Sequence, residues 1–382
     1  MTHEWAFMRW VFIKCATGAI HQEENLWNMD TTVKDKKPPF NFKATGIGSV
    51  PSLGAQETCL RILQQLPEIP FWPQLVKRTH LEDVNIQFSE GLPLLEIIED
   101  KRALAVSSSE KESELLAFYE RFLAEDVDYF AISNEFAPGL YELVALIQKN
   151  PEAYGPFIKG QTVGPITFSA GIMGPDGKSL LYDPELLEVM VKGISIKALW
   201  QVREINKSGK EPILFLDEPS LSGFGSAFSP IERSEVVRIL KEVIGYLRER
   251  TDALIGIHCC GNTDWSMIIE AGPDIVNFDA FEYLDYFLLY PDEITLFLHG
   301  GGVIAWGIVP TLTFTGQESV ETLYARLEEG LNRCYEWGLD PEMLIANSIL
   351  TPACGMGTMK QASADKALHL LSSLSRKCGE LG

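Results

Sequence analysis

The chain has 382 residues, 46% hydrophobic and 22% charged, with a formal net charge of −21. That is enough apolar material for one large barrel or two ordinary domains, and the acidic balance lacks the basic footprint of a nucleic-acid binder. No run of about 18 uncharged apolar residues occurs, so no membrane span is expected. Seven cysteines without disulfide spacing, and no signal-peptide pattern, point to a reducing cytoplasm.

The first 28 residues differ in character from the rest. Residues 5–20 are apolar but interrupted by Arg9 and Lys14, and Met29 opens a more ordinary lead-in. Residues 1–42 are therefore expected to be an N-terminal arm, either poorly ordered or with its true start at Met29. The alternative is an N-terminal helix packed on the barrel or on a second subunit, which leaves a homodimer as a candidate assembly.

From residue 43 to 382 short apolar runs alternate with helical stretches in what reads as a single domain. Strands are expected near 44–49, 128–133, 157–163, 212–217, 253–259, 274–278, 302–306 and 343–347. They have the continuous apolar look of buried parallel strands. Amphipathic helices are expected over 110–124, 184–207, 234–250, 318–337 and 360–376, the second opened by Asp183 and Pro184. Eight alternations define an α/β chain folded as a (β/α)8 TIM barrel, with a doubly wound open sheet as the rival. Residues 67–106 exceed a normal connection and read as an insertion after the first strand, with hairpin character.

Four residues stand out: His258, Cys260, Glu282 and Cys354. Two thiols, an imidazole and a carboxylate make a zinc ligand set, and their wide separation favours a catalytic over a structural ion. All four fall at expected carboxyl ends of strands, where barrel enzymes place their chemistry. Strand alternation puts His258 and Cys260 on one face and turns Cys259 into packing. The Ile47-Gly48-Ser49 run closes strand one and offers a hydroxyl and backbone N–H groups to an anionic ligand group. Glu135 and Asp217, closing strands two and four, suit a substrate ammonium, and residues 164–167 read as a pocket-lining loop.

With these residues in hand, the chain from about residue 43 to 378 resembles the catalytic C-terminal barrel of cobalamin-independent methionine synthase, in the uroporphyrinogen decarboxylase-like superfamily. The family's zinc-binding His-x-Cys, later Glu and Cys-Gly match His258, Cys260, Glu282 and Cys354. Its Ile-Gly-Ser and Asp-Glu-Pro motifs match residues 47–49 and 217–219. The resemblance implies methyl transfer to homocysteine. Ser49 would meet the substrate carboxylate and Asp217, with Glu135, its amino group; Glu282 would be the zinc ligand that yields to substrate sulfur.

Two departures matter. The family's N-terminal half has no counterpart here, and the His of its strand-seven loop is absent from residues 302–310, His299 lying at the other end of that strand. Because a folate amine needs a proton on leaving and cobalt does not, these departures lead to the expectation of a methylcorrinoid donor: methylcobalamin or a methylated corrinoid carrier protein. The alternatives are a coenzyme M-type thiol methyltransferase and a uroporphyrinogen decarboxylase-like lyase.

Overall fold

The structure is a computed structural model that describes residues 39–107, 110–224 and 231–380. The expectations for residues 1–28, and for most of the arm, lie outside these residues.

In chain order the elements are β1 (Lys43–Ala44), α1 (Ala55–Gln65), β2 (Leu95–Ile98), β3 (Ala103–Val106), α2 (Lys111–Leu123), α3 (Pro138–Lys149), β4 (Phe157–Val163), α4 (Pro165–Ala170), β5 (Ile172–Met173) and α5 (Pro184–Asn206). There follow β6 (Glu211–Asp217), α6 (Arg233–Arg248), β7 (Leu254–Cys259), α7 (Trp265–Glu270), β8 (Ile275–Phe278), α8 (Leu284–Phe287), α9 (Pro291–His299), β9 (Val303–Val309), α10 (Val320–Glu336), α11 (Pro341–Ala346), β10 (Ser348–Pro352) and α12 (Gln361–Gly379).

Seven strands form one parallel sheet in the order β1-β10-β9-β8-β7-β6-β4. The sheet is curled, and strand alternation divides its apolar side chains into two clusters. Leu214, Leu216, Ile255, Ile257, Val276 and Phe278 pack outward beneath the helices. Phe157, Ile213, Phe215, Leu254, Ile275, Val303, Ala305 and Ile349 meet on the inner face, joined by Phe40 and Ile69. Side chains two apart share a face, so every strand of this sheet except the two-residue β1 feeds both clusters. Gly256 leaves the inner space that the Phe215 ring fills.

Helix starts follow capping chemistry. Asp183 accepts from the N–H groups of Glu185 and Leu186, with Pro184 at the first helical position of α5. Ser319 and Thr322 form a reciprocal cap on α10. The five expected helices are present, each end within two or three residues of the expected place.

Two expected strands are not strands. Residues 343–347 lie mostly in α11, where Asp340 caps through Met343 N–H and Pro341 sets the first turn; the strand follows at Ser348–Pro352. Residues 127–130 are a 3-10 turn, closed by Tyr129 N–H to Asp126 and Ala131 N–H to Asp128 carbonyls. The edge beside β4 is taken instead by residues 70–74, which had read as insertion. Trp72 N–H donates to Lys159 O at 3.3 Å and Lys159 N–H to Pro70 O at 2.8 Å. On the other side Gln74 N–H donates to Gly48 O at 3.0 Å and Val50 N–H to Gln74 O at 2.9 Å. Pro70 and Pro73 lack N–H donors, so this segment makes only the isolated bridges Phe71↔Lys159 and Ser49↔Gln74. The rest of the stretch does contain the expected hairpin, β2 against β3.

Among the described residues no helix is long and apolar enough to cross a membrane.

Candidate metal centre and substrate pocket

A row of inward-facing residues crosses the carboxyl end of the sheet. Asp217 on β6 pairs in register with His258 on β7, His258 with Asn277 on β8, and Asn277 with Ala305 on β9. Below the row lies the apolar inner cluster; above it the loops open. Asp217, His258 and Asn277 are all buried.

The ligand atoms of His258, Cys260 and Cys354 lie within 4.8 Å of one another. The Cys354 thiol shares its proton with the Cys260 sulfur, which lowers the Cys260 pKa and raises that of Cys354. Burial opposes charge on His258, but its hydrogen bond to Cys260 and the charges of Asp217 and Cys260 hold the imidazole pKa up.

The ring tautomer follows from the neighbours. Asn277 Nδ2 donates to Ala305 O at 2.7 Å and Thr351 Oγ1 at 2.9 Å, so its Oδ1 is left as an acceptor. That oxygen meets His258 Nδ1 at 2.5 Å. Nδ1 therefore holds a proton, and Nε2, which hydrogen-bonds Cys260, is the nitrogen whose lone pair a metal would take once its proton leaves. Two sulfurs and one imidazole nitrogen converging on one point, with the imidazole's outer nitrogen anchored, fit a zinc ion with an open coordination position.

Glu282 is not in this group. It is exposed, and its Oε1 accepts from Thr313 Oγ1 at 2.8 Å. The buried carboxylate nearby is Asp279, which accepts from the N–H groups of Phe281 and Glu282 and so turns the chain that bears Glu282. Burial, with the charges of Glu282 and Cys260, pushes Asp279 up to about 6. Cys259 faces the outer core, its thiol donating to Gly261 O at 3.5 Å.

Asp217 is held at the row's end. Burial pushes it up to about 6 against the pull of Lys159 and His258, and its Oδ1 is buried with no hydrogen-bond partner. Glu218, adjacent, turns outward to accept from Ile166 N–H, Thr167 N–H and Thr167 Oγ1. Residues 164–167 are thus the clamped start of α4, not an open loop.

Ile47-Gly48-Ser49 lies beside the Cys354 loop. Met356 N–H donates to Ser49 O at 2.8 Å and Gly357 N–H lies 3.4 Å from Ser49 Oγ. A Cβ at Gly355 would run into that hydroxyl, so glycine there leaves the Ser49 side chain its present position. Glu135 has an exposed side chain, while its backbone O accepts from Arg78 and the next carbonyl from Gln87. His299 closes α9, ahead of β9.

The sequence reading passed over Asn277, Asp279, Lys159 and Gln161. For three of them a signal existed. Asn277, Lys159 and Gln161 are polar residues at inner-face positions of otherwise buried strands.

No family model matches the chain, and no curated protein matches its sequence. Among solved structures it is similar to that of a B12-independent methionine synthase from Shewanella sp. W3-18-1 in complex with selenomethionine. That match has 16% identity and TM-score 0.53, and covers 88% of this chain and 97% of that one. It is also similar to a Listeria monocytogenes protein assigned as a vitamin-B12-independent methionine synthase. There the identity is 14% and the TM-score 0.53, over 90% of this chain and 99% of that one. At these identities the likeness is one of fold.

The neighbours correct one expectation. The methylcorrinoid donor and its carrier protein were argued partly from the absence of a second, N-terminal half. Neighbours matched over nearly their whole length are described as B12-independent, so a single catalytic half does not signal a corrinoid, and that donor is set aside.

Proposed function

We propose that the chain is a zinc-dependent methyltransferase that methylates the thiol of homocysteine to give methionine. We further propose that it works as one closed (β/α)8 barrel over residues 43–382, with residues 70–74 as the remaining stave. The observation that supports this reading most is the His258, Cys260 and Cys354 group at the carboxyl end of a curled parallel sheet. The selenomethionine held by the Shewanella protein, an amino acid with a methylated chalcogen, supports the same ligand class.

His258, Cys260 and Cys354 would hold the metal, with Glu282 as the exchangeable fourth ligand once it leaves Thr313. Bound there, zinc would keep the acceptor sulfur a nucleophilic thiolate at neutral pH. The protein's own groups then orient the substrate. The unpartnered Asp217 Oδ1 accepts from the substrate ammonium, which removes the cost of a buried, unsatisfied acceptor. Ser49 and the N–H groups of its turn face the carboxylate, and Glu135 supplies a second contact to the amino group. Holding both ends of the amino acid aims its sulfur at the incoming methyl group.

The test is optical. Cobalt(II)-substituted protein should develop a stronger thiolate-to-cobalt absorption on addition of homocysteine. A response to 2-mercaptoethanesulfonate alone would move the protein to the coenzyme M-type methyltransferases. No response to any thiol would sink the reading.

A further inference from the structure

Lys159 is a fully buried cation in the inner space, paired in register with Ile213, two inward-facing positions below Asp217. Its ammonium lies 4.7 Å from the centre of the Phe215 ring and donates to Gln161 Oε1 at 3.1 Å. It also donates to the backbone carbonyl of Ile47, the first residue of the Ile47-Gly48-Ser49 turn. Among the described residues no carboxylate lies within ion-pair distance of it. Gln161 in turn donates to Trp72 O at 3.1 Å, and a Cβ at Gly48 would strike Gln161 and Gln74. The turn thus rests directly on the Lys159–Gln161 pair.

A buried ammonium without a carboxylate partner is costly, and a fold that served only packing would fill this place with a hydrocarbon. Burial drives Lys159 down to about 7, with the Asp217 charge opposing. A cation kept this close to neutrality responds to the next anion that approaches.

We infer that Lys159 is a positioning residue for the ligand carboxylate, acting through the Ile47 carbonyl and the turn that presents Ser49. It biases the site toward carboxylate-bearing thiols. This deepens the homocysteine reading and rests on it.

The experiment is calorimetric titration of the zinc-loaded protein, wild type and Lys159→Met, with three thiols. Homocysteine carries both end groups, 4-mercaptobutanoate lacks the amino group and 3-aminopropane-1-thiol lacks the carboxylate. Lys159→Met should weaken the first two by roughly 10- to 100-fold, the range for a hydrogen bond to a charged group. Binding of 3-aminopropane-1-thiol should stay within about twofold, and zinc content should stay unchanged. An equal loss for all three thiols, or a loss that follows the amino group, overturns the inference alone. Wild-type protein that binds none of the three overturns the homocysteine reading and the inference with it. Should Lys159→Met fail to fold, Lys159→Gln, which keeps a donor but no charge, makes the same comparison.

Discussion

The two walls of the pocket are built differently. On the β7, β8 and β10 side, ligand residues sit on or just past strands joined by multi-residue parallel ladders, with a single register shift at Thr351 and Pro352, and His258 is fixed through Asn277 to β9 and β10. On the β1 and β4 side, a two-residue strand and a proline-broken segment meet through isolated bridges. That wall is held by side chains: Gln74 to Gln87, Gln87 to Phe136 O, Arg78 to Glu82 and Glu135 O, and Lys159 to Ile47 O. A ladder-built wall suits a metal, which tolerates little error in ligand placement. A network-built wall suits an amino acid whose groups need only be met by donors and acceptors. Changes in the first wall should therefore abolish metal binding, and changes in the second should alter substrate affinity with the metal in place.

The largest effect tests the first wall. Cys260→Ser or Cys354→Ser should lose stoichiometric zinc and with it activity, as metal analysis after dialysis would show. Cys259→Ser, at the outward-facing position between two ligands, should keep full zinc and lose only about 1 kcal/mol of stability. Full zinc in Cys354→Ser would dissolve the distinction between the walls. One step down, Asn277→Leu removes the acceptor that fixes the His258 tautomer. Zinc affinity should fall about 10- to 100-fold in a chelator competition, the usual cost of losing such a partner.

Asp217, on β6 in register with His258, belongs to neither the metal ligands nor the network-built wall, and Asp217→Asn tests the substrate's amino end. The homocysteine KM should rise about 10- to 100-fold with zinc content unchanged, because an amide no longer offers a charged acceptor to the ammonium. An unchanged KM would remove Asp217 from the substrate's amino end.

The same contrast explains what the sequence showed beforehand. Runs such as Ile213-Leu214-Phe215-Leu216 announce buried parallel strands because both their faces are covered, and residues 211–217 and 254–259 lie within a residue of expectation. The placing of His258 and Cys260 could be anticipated for that reason, since both close such a run; Cys354 instead follows Ser348–Pro352, a strand that had been expected at 343–347. Residues 70–74 could not be seen as a sheet edge, since Pro-Phe-Trp-Pro offers neither alternation nor a continuous donor row. The apolar Val127, Phe130 and Ile132 suggested a strand but are buried around a local turn. Glu282 shows a different limit. Its spacing places it past β8 as expected, but where a long exposed carboxylate rests is decided by a neighbour such as Thr313, on a loop that pattern alone does not bring near.

The smallest effect is also the sharpest probe of the network-built wall. Lys159, pushed down by burial to about 7, is fully charged only below that value. A bound carboxylate favours the charged form, so the protein's preference for homocysteine over 3-aminopropane-1-thiol should decline as pH rises through and above about 7. Asp217, the charged group facing Lys159, affects both ligands through the amino group they share, and both present the same thiol to the metal, so those contributions cancel in the ratio of affinities. The decline should reach no more than about tenfold, because the turn's N–H groups and Ser49 still meet the carboxylate when Lys159 is neutral. In Lys159→Met the ratio should be flat across the same range. A decline that persists in the variant would place the titrating group elsewhere and leave the second wall without its buried charge.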